Sequence, residues 1–326
     1  MKMLAPTLVG FTMYASMLIL LCIGFTFTHM LEKFPNFAHT SYASIGTVLA
    51  YTFVRLWGFN PYLAWPFAAL LNGFVGIALY LLMVQPMRKA GTSNIHITFA
   101  MFALTYLINT LILVYSYWIM LNMRFRASGF VLKGYDFYFM GLPGIFYVAP
   151  VTCVTLVTTL HLFLTRTKFG IAIRATTEDP KLASSLGVNV FHTHLASWFL
   201  TGAMAGLAGA ALPLWYATSM GGSDELMVNV MAGSILGGLE NVYGAILGGV
   251  FLAFTQMIMP GMLITTLGLW VSGYVPLIPI IVIVVVLMLM PNGIAGALTS
   301  NSRQAQWLRY RISRLLRGIN SPQRPV

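Results

Sequence analysis

Charge is what this chain has least of. Asp, Glu, Lys and Arg together make up 8% of its 326 residues. Soluble globular domains carry about 25%, so these residues cannot furnish an ordinary water-exposed surface. Acids are rarest, with seven Asp and Glu against eighteen Lys and Arg, for a net charge of +11. Cysteine is nearly absent. Cys22 and Cys153 both lie in apolar stretches and give no basis for a disulfide framework or a metal site. The six histidines are scattered. His192 and His194 have no Cys or carboxylate cluster beside them, and read as interfacial side chains rather than metal ligands. No G-x-x-x-x-G-K-S/T loop occurs, so any use of ATP here requires a second chain to bind it. No catalytic constellation and no cofactor motif is visible, and the chain does not read as an enzyme.

What is present is apolar. Hydrophobic residues make up 58% of the chain and its mean hydropathy is +0.82. The stretch Asn241 to Ser302 contains no charged side chain. Runs longer than the ~20 residues that span a bilayer as helix mark a polytopic membrane protein. Continuous rather than alternating polarity favours helices over a barrel. The expected fold is all-α, with about eight or nine transmembrane helices and broken or re-entrant segments. The basic surplus fits loops and tails on the cytoplasmic side better than nucleic acid. The first apolar run is too long for a signal peptide and lacks a small-residue cleavage site, so it is expected to remain as a span.

The spans are expected at Leu4–Met30, Phe37–Phe53, Pro61–Val84, Asn94–Met120, Gly144–Thr165, Thr193–Trp215, Val242–Met259 and Tyr274–Met290. Between the last two, a short extracellular helix is expected near Leu263–Trp270. Leu226–Leu239 is too short to span alone and reads as a half-helix or re-entrant element. Residues 1–302 form the membrane domain, and 303–326 a basic cytoplasmic tail. Placing basic loops inside gives nine crossings with an external N-terminus, or eight with Leu4 inside. The loop Leu121–Gly141, with Arg124, Arg126 and Lys133, is external in this scheme and conflicts mildly with the charge rule.

One polar island interrupts the apolar chain. Residues 166–192 begin R-T-K-F-G-I-A-I-R-A-T-T-E-D-P-K-L-A-S-S-L-G-V-N and carry six charges. Such a stretch lies in water at the membrane surface. It reads as a short helical lever, with Glu178 and Asp179 before Pro180 suited to a helix N-terminus, Arg174 and Glu178 on a shared face and Gly187 as its stop. From physics alone it is either an ordinary solvated loop helix or a contact for a soluble partner. Inside the spans, Glu240 is the sole ionisable candidate, in a Gly-rich break. That scarcity argues against ion-coupled transport, which uses intramembrane charges, and favours a zwitterionic or neutral solute.

The spacing R-T-x-x-G-x-A-x-R-A-x-x-E-D/N-x-x-x-A-x-x-L/M-G-I/V-N/P resembles the cytoplasmic coupling segment of branched-chain amino-acid ABC-transporter permeases. Gly170, Arg174, Glu178, Asp179, Ala183, Leu186 and Gly187 fall on it. Gly24 to His39, Ala203 to Leu212, Ile235 to Gly249 and Met290 to Gly296 resemble further family stretches. The slight N-terminal extension and Asn36-Phe37-Ala38-His39 favour the H-type (LivH-like) subunit. Thr40 stands where the family has Gly, and Glu240-Asn241 where it has Gly-Ser.

The resemblance implies a permease subunit in the plasma membrane that works by alternating access. Its implied partners are an M-type permease, two ATP-binding subunits that hydrolyse the ATP, and an extracellular solute-binding protein. The solute would be a branched-chain or related amino acid, with urea, an amide or a sugar as alternatives within the family. A channel or carrier acting alone is the rival from another class. Asn36, His39, Thr40, Ser41, Gly237, Gly238, Glu240 and Asn241 are candidates for the solute path, against a reading of plain helix packing.

Overall fold

The computed structural model describes residues 4–290 and 293–299. The tail 303–326, together with Pro291 and Asn292 of the terminal motif, lies outside the described residues. Backbone amides in lipid have no water to bond, so the apolar runs close their hydrogen bonds within helices. In order these are α1 (Leu4–Glu32), α2 (His39–Tyr51), α3 (Ala64–Leu79), α4 (Gln85–Lys89), α5 (Asn94–Asn122), α6 (Ile145–Arg166), α7 (Lys168–Glu178), α8 (Pro180–Ser185) and α9 (Val190–Ala211). After a loop follow α10 (Leu226–Gly237), α11 (Val242–Met257), α12 (Met259–Leu267), α13 (Leu277–Leu289) and α14 (Gly293–Thr299). A two-residue antiparallel pair, Tyr138–Phe139 with Leu142–Pro143, tightens the loop before α6.

Seven helical stretches are long and apolar enough to cross a membrane. With α2 and α10 added, the chain passes between the two ends of the bundle nine times among the described residues. One end carries α7 and α8 together with Glu32, Lys33, Arg88 and Glu240, which meet in ion pairs. The far end carries the loop before α6, where Tyr62 donates to Asp136 at 2.6 Å and Tyr51 to the Arg126 carbonyl at 3.0 Å. The start of α1 also lies at the far end, where Tyr216 donates to the Gly10 carbonyl at 2.8 Å.

Helix α9 is the hub, packed against α1, α2 and α3. Lipid supplies no hydrophobic drive between helices, so association rests on close contact and interhelical hydrogen bonds. Missing Cβ atoms make that contact possible. A Cβ on Gly46 of α2 would meet the Gly206 backbone, and one on Gly209 would meet Ala43. Thr47 then reaches across and donates to the Gly209 carbonyl at 2.8 Å. The same device closes α10 on α11, where Gly233 faces Gly248 and Gly237 faces Gly244.

Several boundaries differ from expectation. Helix α3 continues through a π turn (Tyr80–Val84) into α4, so the expected loop 85–93 shrinks to 90–93. Pro86 follows the π turn without ending the helix, which runs on to Lys89 and turns at Gly91, at φ +72. The expected helix near Leu263–Trp270 is α12, ended by Gly268 at φ +103 and followed by a 3-10 turn, Leu269–Tyr274. Helix α2 starts only at His39, and α1 runs past the expected Met30 to Glu32. Segment 33–38 is non-helical and leads into α2 well inside the bundle. His39 contacts Leu21 and Gly24 of α1; at about 1.5 Å per residue these lie roughly 12–16 Å from the Glu32 end.

Candidate functional site

The polar island is two helices, not one. Thr167 caps α7, its Oγ1 accepting from the Gly170 amide at 2.9 Å. Asp179 then breaks the chain at φ −146 and caps α8, its Oδ1 accepting from the Lys181 and Leu182 amides at 2.8 and 3.0 Å. Pro180 at the first position of α8 loses no needed donor. Gly187, at φ +85, closes α8: its amide donates to Ser184 and that of Val188 to Ala183, both at 3.0 Å. This left-handed position suits Gly alone without strain. Arg174 and Glu178 are both exposed on α7 and form no ion pair with each other among the described residues.

The pair α7–α8 is anchored and yet presents an open surface. A Cβ on Gly170 would meet the Phe163 and Leu164 backbone, so α7 lies directly on the end of α6. Ile173 and Ala183 are buried, and Thr176 lies 3.4 Å from Thr193 of α9. Ile171, Leu182 and Leu186 are exposed, Leu186 at 76%. Apolar side chains held out among Arg174, Glu178 and Lys181 form a surface suited to a protein partner.

Beside this pair sits a cluster that sequence reasoning missed. The Glu32 side chain is fully buried, although the chain reads locally as a polar break. Its Oε1 lies 2.7 Å from His194 Nδ1 and accepts from Trp198 Nε1 at 2.8 Å. Its Oε2 lies 2.7 Å from Arg88 Nη2, which also donates to the Glu32 carbonyl at 2.8 Å. The Tyr80 ring stacks on His194 at 5.6 Å and 9°. Thus the end of α1, the start of α9 and α4 are tied through one carboxylate. A buried charge is held only when paired and hydrogen-bonded. His194 is buried rather than interfacial, while His192 is exposed, so the two do different work. The signal was available: a Glu one residue from an apolar helix, and an Arg in a loop predicted at the same end.

The α2 candidates lie deep. Asn36, His39, Thr40 and Ser41 are each no more than 1% exposed. His39 Nε2 faces the Leu21 carbonyl at 2.9 Å and must carry the hydrogen, which leaves Nδ1 as a bare acceptor. That nitrogen, Thr40 Oγ1, Ser41 Oγ and Ser44 Oγ are buried without a hydrogen-bond partner. Such a density of unsatisfied groups is costly. Thr40 lines a cavity of about 170 Å³ with Phe37, Phe102, Thr105, Tyr106 and Met227.

Gly237, Gly238, Glu240 and Asn241 do not join that group. They form the turn between α10 and α11 at the α7 end, about a helix length below Met227. Gly238 takes φ +106, and Asn241 caps α11 by accepting from Tyr243 and Gly244 at 2.9 and 3.1 Å. Glu240 is 82% exposed and pairs with Lys33 at 3.6 Å. It is therefore a surface carboxylate and not one near a span centre. The buried carboxylate at this end is Glu32 instead.

Residues 7–308 match the family model described as branched-chain amino acid transport system / permease component. The chain belongs to this family. The permease is 34% identical over 287 residues to a probable branched-chain amino acid transport permease protein LivH of Methanocaldococcus jannaschii, covering 88% of this chain and 91% of the relative. It is 30% identical over 143 residues to a high-affinity branched-chain amino acid transport system permease protein LivH of Escherichia coli K12, covering 42% of each chain. A nucleoside ABC transporter permease protein NupC of Lactococcus lactis is 29% identical over 134 residues, covering 39% of this chain and 40% of the relative. No solved structure matches the chain. The permease is a LivH-like, multi-pass membrane subunit of a transporter.

Proposed function

We propose that this permease moves branched-chain amino acids inward across the plasma membrane as one half of an ABC importer's membrane core. The carrying observation is the near-complete span shared with the LivH relative, together with the exposed α7–α8 pair built from the 166–192 segment. An M-type permease completes the core, two ATP-binding subunits dock on α7–α8, and a binding protein delivers the solute at the far end. Lys33, Arg88, Lys89, Arg166, Lys168, Arg174 and Lys181 gather at the α7 end, which makes it the cytoplasmic one. The far end is then outside.

The ATPases hydrolyse the ATP; this chain converts their motion. Closure of the ATPase pair presses on Leu182 and Leu186. Gly170 passes the load to α6, and Thr193 and the Glu32 cluster pass it to α9 and α1. A rigid-body tilt of these helices switches access between the two sides. The Thr40 cavity is walled by Phe102 and Tyr106, both exposed on α5, so a partner permease seated on that face of α5 encloses it as part of the solute path. Glu178→Lys reverses charge on the docking surface without touching the core. In the reconstituted five-subunit importer it should leave ATPase activity measurable and abolish leucine uptake. Unchanged uptake would remove the docking role.

A further inference from the structure

At the far end a cleft of about 370 Å³ opens above the start of α10, within the range of roughly 300–1,000 Å³ typical of small-molecule sites. Three features make it chemically specific. The 12-residue α10, which continues directly from a 3-10 turn at Gly222–Glu225, starts at the cleft with no side chain capping it. Ser223 lines the cleft at 1% exposure, and its Oγ is buried without a hydrogen-bond partner. Glu225 stands exposed in the same lining, and among the described residues it has no ion-pair partner. The walls are apolar: Leu212, Leu226 and Met257, with the Tyr14 and Tyr216 rings. Both rings are fixed, since Asn229 donates to the Tyr14 hydroxyl at 2.8 Å and Tyr216 donates to the Gly10 carbonyl.

We propose that this cleft is the outer receiving site for the head group of a zwitterionic amino acid. A bare serine hydroxyl donates to a carboxylate, and the positive end of the helix dipole favours it. An unpaired glutamate beside them accepts the ammonium group, and the apolar walls take an aliphatic side chain. A simple carboxylate is repelled by Glu225, and a simple amine leaves the Ser223 hydroxyl unbonded. Only a molecule carrying both charged groups on one carbon satisfies both ends. The site rests on the amino-acid importer reading and names the groups of this chain that meet the solute when the binding protein releases it.

The test uses the complete importer in proteoliposomes. Ala217, exposed at the rim of the cleft, is replaced by cysteine, and its modification by a membrane-impermeant thiosulfonate is timed. Cys22 and Cys153 are buried and give the background. Protection follows site occupancy, so leucine at about twice its dissociation constant should slow labelling about threefold. 4-Methylpentanoate and isoamylamine, which carry one charge each, should not. Glu225→Gln in the same background should remove leucine protection, and Glu225→Asp should retain it. Glu225→Gln alone should also lower leucine uptake while ATPase activity persists. Labelling indifferent to leucine, or protection unaffected by Glu225→Gln, overturns the site. Failure of the unaltered importer to take up leucine at all overturns the importer reading instead, so the two failures are separable.

Discussion

Glu32 shows how much a single side chain can hide. Next to Lys33 and Pro35 it reads as loop, because its partners Arg88, His194 and Trp198 are remote in sequence. No local pattern announces such a contact. Removing one partner of a buried pair leaves the others charged or unbonded, at about 3–5 kcal/mol. Glu32→Ala should therefore lower the unfolding midpoint of the detergent-purified permease sharply. Arg88→Ala should cost less, since Arg88 is 31% exposed and keeps access to water. Equal midpoints for Glu32→Ala and the unaltered chain would show that the cluster carries no load. Asp136 was also just one charge in a loop; it proves to order the far end, accepting from Tyr62 and from the Ile145 amide at 3.0 Å.

At the scale of elements, long apolar runs gave helices near their expected places, because uncharged sequence of bilayer length has no other stable form in lipid. The edges that moved are those set by partners. Helix α2 begins at His39, where His39 is met by α1 and Thr47 further on by α9, contacts that no window over residues 37–53 contains. The split of 166–192 was legible in principle, since Asp179-Pro180 is a cap and a first-turn residue side by side; reading through to Gly187 overlooked the stop. The α2–α9 crossing is the least forgiving contact. Gly46→Val puts its side chain into the Gly206 backbone, and overpacking of this kind costs typically 1–3 kcal/mol or more. Yield of folded protein should collapse. Gly187→Ala meets open space and strains only its left-handed backbone, at about 1 kcal/mol. Folding should survive it, as a monodisperse gel-filtration peak for Gly187→Ala and its loss for Gly46→Val would verify.

For the molecule as a whole, the polytopic all-α architecture was readable, the choice between eight and nine passes was left open, and part of the mild charge conflict at the far end has a physical answer. Lys133 lies 4.0 Å over the Trp215 ring, and Arg55 stacks 5.5 Å from the Tyr135 ring while donating to its hydroxyl. Aromatic faces satisfy those cations, so they do not compete with the basic residues of the α7 end. In whole cells, Ala217→Cys should be labelled by an impermeant reagent, and Leu186→Cys only after permeabilisation. The reverse pattern would invert the orientation. The α2 path was the least legible feature, because lateral cavities arise from the meeting of α2, α5 and α10 and belong to no single stretch.

The late start of α2 bears on how the protein is made. With His39, Thr40, Ser41, Ser44 and Thr47 in thirteen residues, this helix gains little by leaving the insertion machinery for lipid. Its neighbour α9, which supplies the Gly206 and Gly209 contacts, is synthesised only in the second half of the chain. Until α9 emerges, α2 has nowhere to settle. The order of synthesis thus makes assembly of the hub a late event, and ribosome-bound chains halted before α9 should leave α2 open to cytoplasmic protease.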